Sequence, residues 1–170
     1  MKSKNQNRGY ARGLTVASAV AALYVILTWL SSLLGLSGGV IQLRISEALT
    51  VLPVFFPEAV PGLFIGCIIS NLITSAVVWD IIFGSLATLL GALGAYYLRR
   101  LPRRLMWLST LPTVIANTSI VPLVLVYAYG VPDALWFVIL TVGIGEIISA
   151  GLFGSALYYL LDKNRRPLGL

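Results

Sequence analysis

Apolar residues run along this chain in long uncharged stretches, with the charges gathered at their ends. Residues 13–43, 59–79, 81–98 and 105–132 contain no charged residue, and between Asp133 and Asp162 only Glu146 interrupts the run. A bilayer core about 30 Å thick needs roughly 20 apolar residues in a helix. The pattern therefore predicts membrane helices over 14–34, 59–78, 80–98, 105–127 and 134–161, the last with Glu146 inside it. Residues 42–56 are ambiguous. They hold Arg44 and Glu47, and by length alone they suit a re-entrant or interfacial piece.

The basic residues resolve the ambiguity. Lys2, Lys4, Arg8 and Arg12 precede the first stretch, Arg99, Arg100, Arg103 and Arg104 flank Pro102, and Lys163, Arg165 and Arg166 close the chain. Lys and Arg near span ends favour the cytoplasmic side. All three clusters share that side only if the chain crosses an even number of times between them. A crossing over 43–56 is then required, and Arg44 alone of the 12 cations lies outside. The expectation is a single all-α membrane domain over residues 1–170, with six transmembrane helices and both termini cytoplasmic. Ala17-Ser18-Ala19 has the look of a signal cleavage site. It lies near the start of its apolar run rather than at the end, so the first run is expected to be a retained span.

Composition agrees. Of the 170 residues 58% are apolar and 11% are charged, where a soluble domain carries about a quarter charged. A soluble enzyme is excluded. The six excess positive charges would suggest nucleic acid, but they sit at segment ends, so the expected partner is the lipid bilayer. With no His and one cysteine, Cys67, there is no disulfide framework, no Cys-based zinc site and no His-based triad. No phosphate-cradling loop is present, so the chain carries no ATPase site of its own. Gly143-Ile144-Gly145 is not a dinucleotide fingerprint, no cofactor is expected, and no inverted repeat relates the two halves.

Two strips of small residues stand four apart: Gly13, Ala17 and Ala21 on the first helix, and Ala87, Gly91 and Ala95 on the fourth. Such strips let another helix approach closely, either within the bundle or from a separate subunit, and spacing alone favours the former. Pro53, Pro112 and Pro122 can each bend a helix. The outer connection over 35–42, with Gly35, Gly38 and Gly39, is either a lid or a plain connector.

Charged and amide side chains inside lipid are costly and face a cavity or a partner. The informative set is Arg44, Glu47, Asn71, Asp80, Asn117 and Glu146. Arg44 and Glu47, three apart on one helical face, form either a mutual ion pair or a ligand contact. Glu146 lies about 18 Å from its outer helix end, Asn117 about 15 Å below the outer surface and Asn71 about 10 Å, at 1.5 Å per residue. Asp80 suits an N-cap. Converging at the outer half to middle of the bundle, the set points to a pocket for a small polar ligand with donor groups.

The run Arg44-Ile45-Ser46-Glu47-Ala48-Leu49-Thr50-Val51-Leu52-Pro53 resembles the hallmark of QueT-type substrate-binding subunits of energy-coupling-factor transporters. Pro61-Gly62-Leu63-Phe64-Ile65-Gly66 with Asn71-Leu72 is similar to it too, as are Asp80-Ile81-Ile82-Phe83-Gly84-Ser85, Asn117-Thr118-Ser119-Ile120-Val121-Pro122 and Gly145-Glu146. The resemblance covers roughly residues 10–160. It implies a six-helix subunit that captures a queuosine precursor, a 7-deazaguanine with a cyano or aminomethyl substituent, on the outer side. It also implies association with a transmembrane coupling protein and two cytoplasmic ATPases, with Ala17 and Ala21 as the docking strip. A carboxylate of Glu47 or Glu146 can accept the side-by-side N–H and NH₂ of a guanine-like edge. Asn71 and Asn117 can meet ring carbonyl and nitrogens, and Trp79 or Tyr127 can stack on the ring. The competing expectation is a proton-coupled carrier with Glu146 as relay.

Overall fold

A computed structural model describes residues 2–37, 41–74 and 76–165, with side chains from Tyr10 onward. Gly38, Gly39 and Arg166, and the side chains of Lys2, Lys4 and Arg8, lie outside the described residues. Within them the chain is all helical. Six helices follow in order: Lys2–Leu33, Ile45–Val54, Ala59–Ile73, Val78–Leu98, Arg103–Tyr127 and Leu135–Lys163. Four are long and apolar enough to cross a membrane: Tyr10–Leu33 within the first, then the fourth, fifth and sixth. The second and third are shorter.

The first helix starts well before the apolar run. In residues 2–10 the helix formers Lys2, Lys4, Gln6 and Arg8 alternate with the weaker Ser3, Asn5, Asn7 and Gly9, so propensity alone does not account for the extension through the basic N-terminus. It ends where Gly35 takes a positive φ of 70° and the Leu36 N–H donates to the Ser31 carbonyl at 2.9 Å. Glycine adopts that left-handed cap without a Cβ clash.

The second helix is the centre of the fold. It is a 3₁₀ helix of ten residues, and every residue from Ser46 to Pro53 is buried. The 2.0 Å rise of a 3₁₀ helix stretches ten residues to about 20 Å, against about 15 Å for an α-helix. The first and third helices both finish at the same end of the bundle, so this segment carries the chain back to the other end. Leu49 and Leu52 belong to an apolar cluster with Tyr24, Leu63 and Cys67, and Val51 belongs to another with Met106 and Tyr158.

Close helix crossings are made by small residues. A Cβ on Gly62 would lie 2.5 Å from the Ala17 carbonyl oxygen, and one on Gly66 would lie 3.0 Å from the Ala21 Cα. The strip on the first helix is therefore packed against a matching glycine pair on the third. On the fourth helix Ala87 and Ala95 are fully buried, and a Cβ on Gly91 would lie 2.7 Å from the Thr113 Cα of the fifth. Pro112 sits in the first α-helical turn after a 3₁₀ start over Arg103–Thr110, where a missing N–H is harmless.

The sixth helix is continuous but changes pitch. An α-helical part, Leu135–Glu146, passes into a π segment, Ile147–Phe153, and returns to α over Gly154–Lys163. The widened turns follow directly after Glu146. They place Glu146, Ser149, Ala150 and Gly154 all in the interior.

Candidate functional site

The site is built on the start of the second helix. The first backbone N–H groups of a helix lack internal partners, and here side chains from two other helices supply them. The Arg44 N–H donates to Ser149 Oγ at 3.2 Å and the Ile45 N–H to Ser31 Oγ at 3.0 Å. Thr28 Oγ1 donates to Ser46 Oγ at 2.8 Å. The close approach of Gly145 to the Gln42 carbonyl brings the sixth helix against the chain entering this helix. These ties set the position of Glu47, one turn further on.

Glu47 is 1% exposed. Its Oε1 accepts a hydrogen bond from the Tyr24 hydroxyl, and its Oε2 has no partner. The Thr88 hydroxyl and the Asn117 amide adjoin the same carboxyl group. Glu146, 6% exposed, lies near enough to interact electrostatically with Glu47, and Asn117 adjoins it as well. Its Oε2 is also unpartnered. Glu47, Asn117 and Glu146 thus arrive from the second, fifth and sixth helices to form one buried polar cluster.

Arg44 is not paired with Glu47. It precedes the helix, with extended φ and ψ of −114° and 98°, so the one-face spacing of a helix does not apply to it. Its guanidinium reaches Asp80 Oδ2 at 3.7 Å. Asp80 is no N-cap either: Val77 holds that position, and no side-chain cap bond is made. Instead Asp80 Oδ2 accepts the Tyr129 hydroxyl at 3.2 Å, and the Asn71 Nδ2 donates to the Asp80 carbonyl at 3.1 Å. Gly84 keeps this corner open, since a Cβ there would lie 2.9 Å from Asp80 Oδ1.

This second group walls a cavity of about 350 Å³, lined among others by Thr28, Gln42, Arg44, Asn71, Asp80 and Tyr129. That size lies at the lower end of small-molecule sites. The cavity opens where the first, third and fifth helices end. Arg99, Arg103 and Arg165 lie at the opposite end of the bundle. Glu47, Asn117 and Glu146 do not line the cavity; the guanidinium of Arg44, which does, acts electrostatically on both carboxyl groups.

Two expected site residues are not brought here. Trp79 and Tyr127 are 56% and 77% exposed and border an outward apolar groove between the fourth and fifth helices. Tyr127 ends its helix, and Tyr129 beyond it turns to the cavity instead. Tyr24, Thr88 and Tyr129 are contributors that the sequence reading left out, and Asp80 is one to which it gave an N-cap role instead. Asp80 was visible as a charge at a span end; the others carry no sequence signal that separates them from packing residues.

Ala17 and Ala21, besides meeting Gly62 and Gly66, border an outward apolar groove of about 520 Å³ with Leu14, Ser18, Ala22 and Ile65.

The sequence pattern of the QueT transporter family matches residues 14–163. A protein of Lactococcus lactis subsp. cremoris (strain MG1363), the queuosine precursor transporter QueT, is 42% identical over 76 residues. That stretch is 45% of this chain and 44% of the Lactococcus protein, so the chain spans less than half the length of this relative. No solved structure matches the chain. With four apolar helices long enough to cross a bilayer, the chain is a multi-pass membrane protein, and it belongs to the QueT transporter family.

Proposed function

We propose that the chain is the ligand-binding membrane subunit of an importer of the energy-coupling-factor type, and that it captures a queuosine precursor of the 7-deazaguanine class from the outer side. The observation that carries this reading is the pair of buried carboxyl groups, each with an oxygen left unpartnered, beside the Asn117 amide in the interior of a membrane bundle. A guanine-like edge offers two adjacent donors, which suit a carboxylate acceptor. The name of the Lactococcus relative supports the same substrate class.

Arg44, Glu47, Asn71, Asn117 and Glu146 are the proposed binding residues, with Tyr129 as the aromatic group at the cavity. Trp79 and Tyr127 face away and fall outside the proposal. The second helix is read as a crossing. Its 3₁₀ rise and its extended approach at Arg44 support that reading, because together they lengthen a segment too short as an α-helix. The basic end of the bundle, with both termini, is then cytoplasmic and the cavity end external.

The chain carries no catalytic role in this reading. Two cytoplasmic ATPases and a transmembrane coupling protein supply the drive, and the groove beside Ala17 and Ala21 is the proposed docking face. Mass spectrometry of the small molecule that co-purifies with the chain tests the substrate. A 7-deazaguanine is expected; a riboflavin- or thiamine-like compound would keep the importer class and overturn the ligand. Glu47→Gln and Glu146→Gln, made separately, test the site. If neither weakens binding tenfold, about 1.4 kcal/mol, the site is misplaced. Because Glu146 has no cation of its own, a proton-coupled carrier is the second reading. Uptake that survives inactivation of the ATPases would favour it.

A further inference from the structure

The turn between the fourth and fifth helices reads Arg99-Arg100-Leu101-Pro102-Arg103-Arg104, four guanidinium groups in six residues. The carboxylate beside it is already taken. Asp162 of the sixth helix holds Arg103 at 2.6 Å and lies 4.0 Å from Arg165. Arg99, Arg100 and Arg104 make no ion pair among the described residues. The Arg99 guanidinium lies over the Tyr96 ring, 4.0 Å from its centre, a contact that uses one face of the group and gives its N–H groups no acceptor. Arg100 and Arg104 are exposed.

The turn is also anchored. Arg103 ties it to the sixth helix, and Met106, Ser109 and Thr110 just beyond it are buried. Its unpaired cations therefore stand close together at a set height, and an anion would offset their mutual repulsion. The surface beside them identifies the anion. Tyr97 and Trp107 flank the turn and face outward, as does Leu105. Tryptophan and tyrosine rings at span ends lie at the level of the lipid headgroups. A free anion would meet the cations alone. An amphiphile with a phosphate above its acyl chains meets the cations and the apolar surface next to them together, and the guanidinium fork matches phosphate oxygens.

We infer that this turn is a binding surface for an anionic phospholipid. The headgroup phosphate is held by Arg99, Arg100 and Arg104, and the acyl chains lie over Leu105 and Trp107. Clustered basic residues beside a membrane helix attract anionic lipid in this way, and the attraction is screened by salt.

Trp107 reports on this surface. The other tryptophans, Trp29, Trp79 and Trp136, stand toward the far ends of their helices and face outward, so a full-length chain with all three replaced by Phe keeps its interior. That chain is placed in vesicles of phosphatidylcholine with a minor fraction of phosphatidylglycerol, and one lipid or the other carries bromine on its acyl chains to quench Trp107. Trp107 is expected to favour phosphatidylglycerol by about threefold or more over random mixing. Arg100→Gln with Arg104→Gln should bring the ratio to parity. Arg12→Gln with Lys163→Gln, which removes the same formal charge from the same end, should keep it. Parity before either pair is changed overturns the inference. A preference that survives loss of Arg100 and Arg104, or that falls equally with Arg12 and Lys163, refutes the assignment to the turn. Inorganic phosphate or poly-glutamate, added at constant ionic strength, should leave the preference in place. Its loss to phosphate would make this a site for a free anion, and its loss to poly-glutamate alone a contact for an acidic polypeptide; either overturns the lipid. If the tryptophan-depleted chain does not fold, native mass spectrometry of the wild-type chain from the same lipid mixture makes the same comparison. Phosphatidylglycerol should be retained in excess of its fraction, and retention in proportion overturns the inference.

Discussion

Replacing Tyr24 by Phe removes one oxygen atom from the middle of the site. The ring is 1% exposed and packs in the apolar cluster with Leu49, Leu63 and Cys67. Phe keeps that packing. What disappears is the hydroxyl that donates to Glu47 Oε1, on a carboxyl whose other oxygen is already without a partner. A hydrogen bond to a charged group contributes about 1.5–3 kcal/mol, and a buried acceptor left unsatisfied costs a similar amount. The gap left by one hydroxyl oxygen is too small to admit a water in its place. The expected loss of ligand-free stability is therefore about 2 kcal/mol. For a chain of 170 residues that corresponds to a fall in Tm of about 6 °C. The assay is built into the protein. Cys67 is its single thiol and is buried, so a thiol-reactive dye reports unfolding in detergent directly. A Tm within 1 °C of wild type would refute the reasoning, because it would mean that water or another donor satisfies Glu47. A second readout separates structure from function. The hydroxyl also orients Glu47, so ligand affinity should fall about tenfold, or 1.4 kcal/mol. Lowered stability with unchanged affinity would make Glu47 a structural group rather than a ligand contact.

Other outcomes follow from the packing and the charges. Gly62→Val places a Cβ 2.5 Å from the Ala17 carbonyl oxygen, backbone that cannot swing away; it should cost about 1–3 kcal/mol, read as a lowered Tm. Arg44→Ala leaves Asp80 buried without its cation and should cost about 3 kcal/mol, and adding Asp80→Asn should recover part of it in a double-mutant cycle. Trp79→Ala should leave ligand affinity within about twofold, or 0.4 kcal/mol, because the indole faces outward. In intact cells Tyr129→Cys should react with a membrane-impermeant maleimide and Arg100→Cys should not; the reverse pattern would invert the orientation.

The helices themselves were legible because a membrane span is a one-dimensional property. Runs expected over 105–127 and 134–161 appear as Arg103–Tyr127 and Leu135–Lys163. The second helix was found only by counting crossings between basic clusters. Its 3₁₀ form was not legible, because the burial that surrounds it on all sides is tertiary. Arg44 was misplaced for a related reason. Spacing of three puts two residues on one face only if both are helical, and the helix begins at Ile45.

Rotational phase was the harder quantity. In a soluble helix the apolar stripe marks the inward face, but in lipid the outward face is equally apolar. On the first helix the outward Leu23, Ile26 and Trp29 are no more polar than the buried Val20 and Tyr24, so nothing marked Tyr24 as the partner of Glu47. Tyr127 and Tyr129 were inseparable for the same reason, since both are aromatic groups near one interface. The small-residue strips were visible, and their spacing favoured the use within the bundle that the structure shows. The glycine pair Gly62 and Gly66, also four apart, is the internal match for Ala17 and Ala21. Only polar residues break the degeneracy, because lipid will not accept them. Glu47, Asn71, Asp80, Asn117 and Glu146 are all buried here. Each marks the inward face of its helix, and together they outline the candidate site while leaving its aromatic and hydroxyl neighbours unnamed.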